Sequence, residues 1–206
     1  MFLRVAVSSL LSRKGSAIMT LMAISVAIFV LLGIEQIRQQ ARDSFASTVS
    51  GVDLIVGAKT GSLNLLLYSV FRIGSPTDNI SWPAYRDIAD SDDVAWAIPI
   101  SLGDSHEGYR VVGTTQAFFE HFSFGKKRSL AFFEGQAFEG TFDAVLGSEV
   151  ASALGYSVGT EIILAHGLAS TSFTKHDNQP FVVVGVLAPT GTPVDQTIHV
   201  RLEGIE

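Results

Sequence analysis

Apolar side chains fill one long uninterrupted stretch close to the start of the chain. Gly15–Ile34 contains 20 residues and no charge, and its hydroxyl side chains, Ser16, Thr20 and Ser25, can bond to backbone carbonyls one turn earlier. A helix rises about 1.5 Å per residue, so this stretch is long enough to cross the roughly 30 Å hydrocarbon layer of a membrane. A cleaved signal peptide would have a shorter apolar region with a small-x-small cleavage site, and a soluble core helix would show a polar face. The pattern therefore predicts an uncleaved transmembrane helix over residues 15–34.

The residues that flank this helix have patterns of their own. Residues 1–14 are mostly apolar and end in Arg13 and Lys14, which fits either an amphipathic segment on the cytoplasmic membrane surface or a frayed extension of the helix. Residues 35–50 are rich in Gln, Arg and Ala, and they predict a helical stalk that continues outward until Gly51 ends it. Such a stalk can carry motion or simply connect the span to the next domain.

The remaining residues, 51–206, are predicted to form one mixed domain. Short runs of β-branched and aromatic residues alternate with Gly, Asp, Ser and Pro, which is typical of strands. One helix is expected after a Ser81 cap, and another between a Ser148 cap and Gly155. The fold class is therefore α+β: an N-terminal transmembrane helix with a stalk extension, followed by a mixed α/β extracytoplasmic domain. The predicted strands are Val52–Val56, Val94–Ser101, Gly108–Gly113, Phe142–Leu146, Glu161–Ala165, Thr171–Thr174, Phe181–Leu187 and Thr197–Leu202, and the predicted helices are Trp82–Ala89, Thr115–Phe122 and Ser148–Leu154.

The distribution of charge bears on orientation and on partners. Arg4, Arg13 and Lys14 precede the span without any acid, and this positive-inside bias favours a cytoplasmic N-terminus. Residues 36–206 carry 11 Lys or Arg and 19 Asp or Glu, a net charge of −8, which argues against nucleic acid as a partner. The chain has no cysteine, which excludes thiol redox chemistry and thiolate metal sites.

The residue types that carry catalysis or bind metals are present but poorly arranged. The five histidines occur singly, with no HExxH and no i, i+4 pair, so each is interpreted as solvated surface. Gly57–Gly61 lacks the glycine spacing of a phosphate loop, and Gly147–Glu149 lacks the frame of a nucleophile elbow. The sequence therefore predicts no enzymatic activity of its own and no catalytic, cofactor-binding or metal-binding residues. The histidines are His106, His121, His166, His176 and His199, and an acidic cluster expected in a solvated turn is Asp90, Asp92 and Asp93.

Seven phenylalanines crowd one short glycine-rich region of the domain. Large apolar side chains are usually buried, so most of them are predicted to fill the core. Any that stay exposed would mark a surface for a partner. They are Phe118, Phe119, Phe122, Phe124, Phe132, Phe133 and Phe138.

Residues 145–187 carry the most informative pattern of the domain. VLGSEVASALGYSVGTEIIL, followed by FVVVGVL at 181–187, describes a strand, a short helix, a turn and two more strands. Together with the N-terminal span, this pattern resembles the MacB-like periplasmic core domain of ABC transporter permeases, a family that includes the FtsX-like and lipoprotein-releasing permeases. Ser50–Lys59, SGVDLIVGAK, is similar to the beginning of that domain in a subgroup of these permeases. The resemblance covers nearly the whole chain.

The resemblance implies a permease subunit in the bacterial inner membrane, with its main domain, residues 51–206, in the periplasm. In this family a cytoplasmic ABC ATPase binds the permease, the permease dimerises, and ATP-driven movement of the membrane helices passes along stalks to the periplasmic domains. The implied substrates are lipoproteins, peptides or drugs, the implied partners include a periplasmic protein, and membrane lipid surrounds the span.

Such permeases ordinarily have four spans, whereas one is predicted here. We therefore interpret the sequence as the N-terminal portion of a permease, either a fragment of a longer protein or a truncated gene product, with the periplasmic domain 51–206 incomplete at its C-terminus. A single-span relative that cannot transport by itself also fits. A different class of function stays open: a single-span, membrane-tethered extracytoplasmic binding or sensor module without transport activity.

Overall fold

The structure of the chain, a computed structural model, describes residues 12–48, 50–74, 78–166 and 180–205. The chain forms two compact units, Met1–Phe45 and Ala46–Glu206. The predicted strand Thr171–Thr174 and most of the predicted amphipathic segment lie outside the described residues.

Helix α1, Lys14–Thr48, is one continuous helix of 35 residues. Its large apolar side chains are exposed, Phe29 to 78%, as is typical of a surface that faces lipid or a partner. Lys14–Gln40 is long and apolar enough to cross a membrane, and within the described ranges it is the one helix with these properties. Residues 15–34 are helical, and the helix continues into the polar stretch and ends at Thr48, before Gly51.

The second unit contains an eight-stranded mixed sheet with short helices around it. The described helices are α2 (Ser62–Ser69), α3 (Trp82–Ala89), α4 (Ala117–His121) and α5 (Ser148–Leu154), with 3-10 turns at Pro193–Gln196 and Leu202–Gly204. The described strands are β1 (Ser101–His106), β2 (Tyr109–Thr114), β3 (Ser123–Phe124), β4 (Arg128–Ser129), β5 (Phe132–Gly135), β6 (Asp143–Leu146), β7 (Glu161–Ile162), β8 (Ala165–His166), β9 (Phe181–Leu187) and β10 (Thr197–Arg201).

The main sheet runs in the order β5-β9-β6-β10-β2-β1-β8, and β7 pairs with β9 as well. β10 pairs parallel with β2 and antiparallel with β6, and β6 pairs parallel with β9. Thr197 at the start of β10 lies opposite Arg110 in β2, so strands distant in the sequence meet at the centre of the sheet. β3 and β4 form a separate two-stranded sheet.

The link between β7 and β8 closes the sheet on itself. Ile163 and Leu164 alone separate these strands, yet β7 pairs with β9 and β8 pairs with β1 near the other edge. A link this short brings the two edges together, so the sheet is strongly curled, as in a partly closed barrel. His106 on β1 supports the junction, because its Nδ1 lies 2.7 Å from the Ile163 carbonyl oxygen.

Side chains of the central strands pack into two different cores, because successive residues of a strand face opposite sides of the sheet. Ala144 and Leu146 belong to the core that includes α5, whereas Val145 belongs to a second core rich in phenylalanine. Ile198 and Val200, the neighbours of His199 in β10, belong to the first core, whereas the His199 ring stacks on Phe118 of the second core. Both faces of the central sheet are therefore buried.

Several predicted elements agree with the structure, and short local signals explain why. Ser81 caps α3 by accepting a hydrogen bond from the Ala84 N–H at 3.4 Å, with Pro83 in the first turn. The predicted segments that match residue for residue are Trp82–Ala89, Ser148–Leu154 and Phe181–Leu187, and those that agree within one or two residues at each end are Gly108–Gly113, Thr115–Phe122, Phe142–Leu146 and Thr197–Leu202.

Three strand predictions are wrong in part or in full. Val52–Val56 forms no strand in the described structure, and its apolar side chains line a cleft instead. Of Val94–Ser101 only the last residue enters β1, because the preceding Pro99 has no N–H to offer a neighbouring strand. Glu161–Ala165 is divided between β7 and β8, which pair with different partners.

The predicted cap at Ser148 is also wrong. Gly147 holds the N-cap position of α5, and no side-chain cap bond forms there. A Cβ at Gly147 would lie 2.3 Å from the Val194 carbonyl oxygen, so the backbone there requires glycine. The expected stop at Gly155 is confirmed, since this residue has a left-handed φ of +68°.

Candidate functional site

A cleft of about 680 Å³ opens on the second unit. Its walls are residues 52–58, helices α2 and α3, and residues 94–101, which lead into β1. Most of the lining side chains are apolar, and they include both tryptophans of the chain, Trp82 and Trp96. This volume and this composition, apolar walls with a few polar groups, are typical of small-molecule sites. The cleft is therefore the candidate site.

Two tyrosines fix the helices that form the walls. Tyr68 on α2 donates a 2.6 Å hydrogen bond to the Leu102 carbonyl oxygen of β1. Tyr85 on α3 donates to the Ala97 carbonyl oxygen at 3.4 Å and stacks on Trp82 with ring centroids 4.8 Å apart. Burial raises the pKa of both phenols, so both hydroxyls stay protonated and can donate at neutral pH.

Arg72 has the most unusual environment in the cleft. Its side chain is buried, with 6% exposed, and among the described residues that line the cleft it is the only one with a positive charge. The guanidinium donates to the Ser69 carbonyl oxygen, and no carboxylate of the described residues forms an ion pair with it. Burial lowers the pKa of Arg72 to about 10, while Tyr68 acts to raise it, so the group stays cationic at neutral pH. Its φ of +59° lies in the left-handed region, which non-glycine residues seldom adopt.

His199 is fully buried in the phenylalanine-rich core. Its ring stacks on Phe118 with centroids 4.8 Å apart. The Thr197 hydroxyl donates to the Val194 carbonyl oxygen, so the His199 Nε2–H donates to Thr197 Oγ1 at 3.2 Å, and none of the described residues forms a hydrogen bond with Nδ1. Burial lowers the pKa of His199 to about 3, and the charge of Arg72 acts in the same direction. The imidazole is therefore neutral in the folded protein.

The interpretation of every histidine as solvated surface is thus wrong for His199, because β10 is covered on both faces. His106 is only partly exposed, and its Nε2 lies 3.1 Å from the Tyr156 hydroxyl. His121 is exposed, as expected. In the described part of the chain, no three or more His, Cys, Asp or Glu side chains gather as a metal site would require. The remaining histidines are His166, in β8, and His176, outside the described residues.

The acidic cluster lies where the sequence predicts it. Asp90, Asp92 and Asp93 are exposed in the turn that follows α3. Asp90 pairs with Arg86 at 3.9 Å across one helical turn, an exposed ion pair that contributes little to stability. The cluster is a solvated helix end.

The phenylalanines are mostly core residues, as predicted. Phe132 is partly buried, and Phe133 on β5 is 78% exposed. The buried members are Phe118, Phe119, Phe122, Phe124 and Phe138.

The comparison with known protein families gives one match that covers almost the whole chain. The sequence model of the MacB-like periplasmic core domain matches residues 17–203. The chain belongs to this family. Membership in the MacB-like family confirms the resemblance found in the sequence and makes the chain a component of the ABC transporter permease type. The family and the apolar helix α1 together indicate an inner-membrane protein with a periplasmic domain.

Solved structures and curated proteins were compared with this MacB-like chain as well. It is similar to the crystal structure of the periplasmic region of MacB from Actinobacillus actinomycetemcomitans, with 12% sequence identity and a TM-score of 0.43. That match covers 62% of this chain and 57% of the other. No curated protein matches the chain in sequence.

The cleft of this MacB-like domain is not identified by the sequence analysis, although one signal points to it. Arg72 is the lone charge in Leu65–Ile73, LLLYSVFRI, and a single cation in an apolar run is often held at a special site.

Proposed function

We propose that the chain is the N-terminal portion of a permease subunit of an ABC transporter. In this proposal, α1 crosses the inner membrane with its N-terminus in the cytoplasm, and the second unit acts in the periplasm on a lipoprotein, peptide or drug. A separate cytoplasmic ATPase supplies the energy, and the permease works as a dimer. Motion of the membrane helix passes to the periplasmic domain.

The continuity of α1 carries this proposal. The helix does not stop where its apolar part ends at Ile34 but continues to Thr48, about 20 Å further at 1.5 Å per residue. Glu35 supports the first polar turn, where Arg38 and Gln39 each lie 3.4 Å from its carboxylate oxygens. A continuous helix transmits displacement and rotation, whereas a flexible linker absorbs them. The family match, which spans the helix and the domain together, supports the same interpretation.

Copurification tests the partnership. We expect affinity purification of the chain from native membranes after cross-linking to recover an ABC ATPase and a second permease copy. Recovery of periplasmic proteins without any ATPase would contradict the proposal and favour a membrane-tethered binding or sensor module.

Labelling tests the orientation, and the absence of cysteine makes the experiment clean. We expect Ser91→Cys, in the exposed turn after α3, to react with a membrane-impermeant maleimide in cells whose outer membrane is opened. Ser12→Cys should react only after the inner membrane is permeabilised. The reverse pattern would refute a cytoplasmic N-terminus.

A matched pair of insertions tests whether the stalk transmits motion. Four alanines or four glycines inserted after Gln40 add the same number of residues, but only the alanines preserve a stiff helix. With the recovered ATPase in proteoliposomes, we expect an ATP-dependent change in ¹⁹F signals from fluorinated Trp82 and Trp96 in the alanine variant and its loss in the glycine variant. Equal responses would mean that residues 35–48 simply connect the two units.

A further inference from the structure

We propose that the cleft is a binding site for a small amphipathic carboxylate, a molecule with an apolar body and one negative charge, and that Arg72 is its anchor. This inference concerns the second unit alone and does not depend on coupling to an ATPase. It rests on Arg72, on the apolar walls and on the placement of the acidic side chains.

Two independent, unfavourable contributions to the free energy of the folded state occur at Arg72. A buried cation without an ionic partner loses the hydration that it would have in water. The left-handed backbone at the same residue adds conformational strain. Structures retain such combinations mainly at sites where the strained group has a task.

The guanidinium has hydrogen-bonding capacity left for a ligand. An arginine side chain carries five N–H donors, and among the residues that the structure describes Arg72 forms one hydrogen bond, to the Ser69 carbonyl oxygen. A carboxylate is the partner that fits the remaining donors best, because the planar guanidinium can hold both of its oxygens at once. A ligand carboxylate would also offset the buried charge.

The rest of the cleft selects an apolar body. Three large apolar side chains that line the cleft stay exposed: Trp82 to 46%, Ile80 to 36% and Leu54 to 75%. Exposed apolar surface of this extent inside a concave site is removed from water when a ligand binds.

The charged side chains at the cleft favour a ligand with one negative charge over a ligand with several. Asp53, Asp78 and Asp93 also line the cleft, and all three are exposed, whereas Arg72 is buried. A ligand with several negative charges would meet these three carboxylates and only one cation. A single carboxylate next to Arg72, with the apolar body along the tryptophans, avoids that repulsion.

The chain provides its own reporters for a test. Both of its tryptophans line the cleft, so the full-length protein with 5-fluorotryptophan in detergent micelles gives two ¹⁹F resonances that both report on the site. Trp82→Phe and Trp96→Phe assign them. Octanoate is the probe, octan-1-ol is the uncharged control of equal length, and octylamine is the cationic control.

We expect octanoate to shift both resonances saturably, and octan-1-ol and octylamine to bind about tenfold more weakly or not at all, since they lack the charge-assisted hydrogen bonds. Arg72→Met should reduce octanoate binding to the level of octan-1-ol, and Arg72→Lys, which keeps the charge but not the planar pair of donors, should retain only part of it. Arg110→Met is the matched control, because Arg110 donates to the Gly74 carbonyl oxygen and does not line the cleft.

Equal midpoints for octanoate and octan-1-ol in the unaltered protein would overturn the proposal, and so would unchanged octanoate binding in Arg72→Met. The comparison of the two probes needs no variant, so the proposal stays testable even if Arg72→Met fails to fold. Loss of binding in Arg110→Met to the same extent would also refute a specific role for Arg72.

Discussion

Replacing His199 with phenylalanine should change how the stability of the protein depends on pH. The native imidazole is buried against Phe118, and its pKa is about 3, whereas a histidine in an unfolded chain titrates near 6.5. Below pH 6.5 the unfolded state therefore binds one proton more than the native state. The free energy of unfolding consequently falls as the pH decreases from 6.5 towards 3, by up to about 1.4 kcal/mol per pH unit.

The size of the effect follows from the same two pKa values. Between pH 7.5 and 4.5 the contribution of His199 amounts to about 2–3 kcal/mol, a large fraction of the stability of an ordinary domain. Phenylalanine keeps the aromatic contact with Phe118 but cannot bind a proton. The Thr197 hydroxyl keeps its bond to the Val194 carbonyl oxygen in the variant.

Urea unfolding of the full chain in detergent micelles, followed by circular dichroism at several pH values, measures this effect. Carboxylates titrate in the same range, so the informative quantity is the difference in the free energy of unfolding between the unaltered protein and His199→Phe. That difference should shift in favour of the variant by about 2–3 kcal/mol as the pH falls from 7.5 to 4.5. His121→Phe, at an exposed position, is the control and should show no such trend. Parallel pH profiles for the unaltered protein and His199→Phe would refute the reasoning.

Three further predictions concern packing, hydrogen bonding and the membrane. Gly147→Ala should lower the free energy of unfolding by about 3 kcal/mol in the same urea titration, because the new Cβ would lie 2.3 Å from the Val194 carbonyl oxygen. Gly103→Ala is the control and should change the free energy of unfolding little, since Gly103 has open space around it. Asp195→Asn should reduce the melting temperature clearly, by an amount equivalent to about 2–3 kcal/mol, because the buried carboxylate accepts hydrogen bonds from two backbone N–H groups and a hydroxyl; an unchanged thermal transition would contradict this. Val26→Arg places a charge in the middle of the apolar helix at a cost of about 3 kcal/mol, and a larger share of the variant should be extracted from membranes by alkaline carbonate.

Local signals predicted those elements whose ends the sequence itself marks. Phe181–Leu187 is a β-branched run that follows Pro180, and Trp82–Ala89 has Ser81 as a cap, so both were found residue for residue. Val52–Val56 has the same strand-like composition, but whether it pairs depends on a neighbouring strand that no local pattern reveals. The curl of the sheet likewise follows from pairings between strands, of β7 with β9 and of β8 with β1, that no local pattern reveals.

The candidate site was less predictable than the fold. Arg72 becomes unusual only because the folded domain buries it, and its left-handed backbone leaves no signature in the sequence. The titration of His199 depends in the same way on Phe118, which lies far away in the sequence. Residue type indicates which side chains can be charged or titrate, whereas burial in the folded domain determines the pKa values of Arg72 and His199.

The place of β10 in the sheet has a consequence for the order in which the sheet can form. β10 is the strand that joins β2 on one side to β6 on the other, although it follows all of its neighbours in the sequence. β2 and β6 therefore each lack one neighbour until Thr197–Arg201 takes its place, and an unpaired strand edge can pair with another chain. Local unfolding of β10 alone would expose two such edges at once, one on β2 and one on β6, in the middle of the sheet.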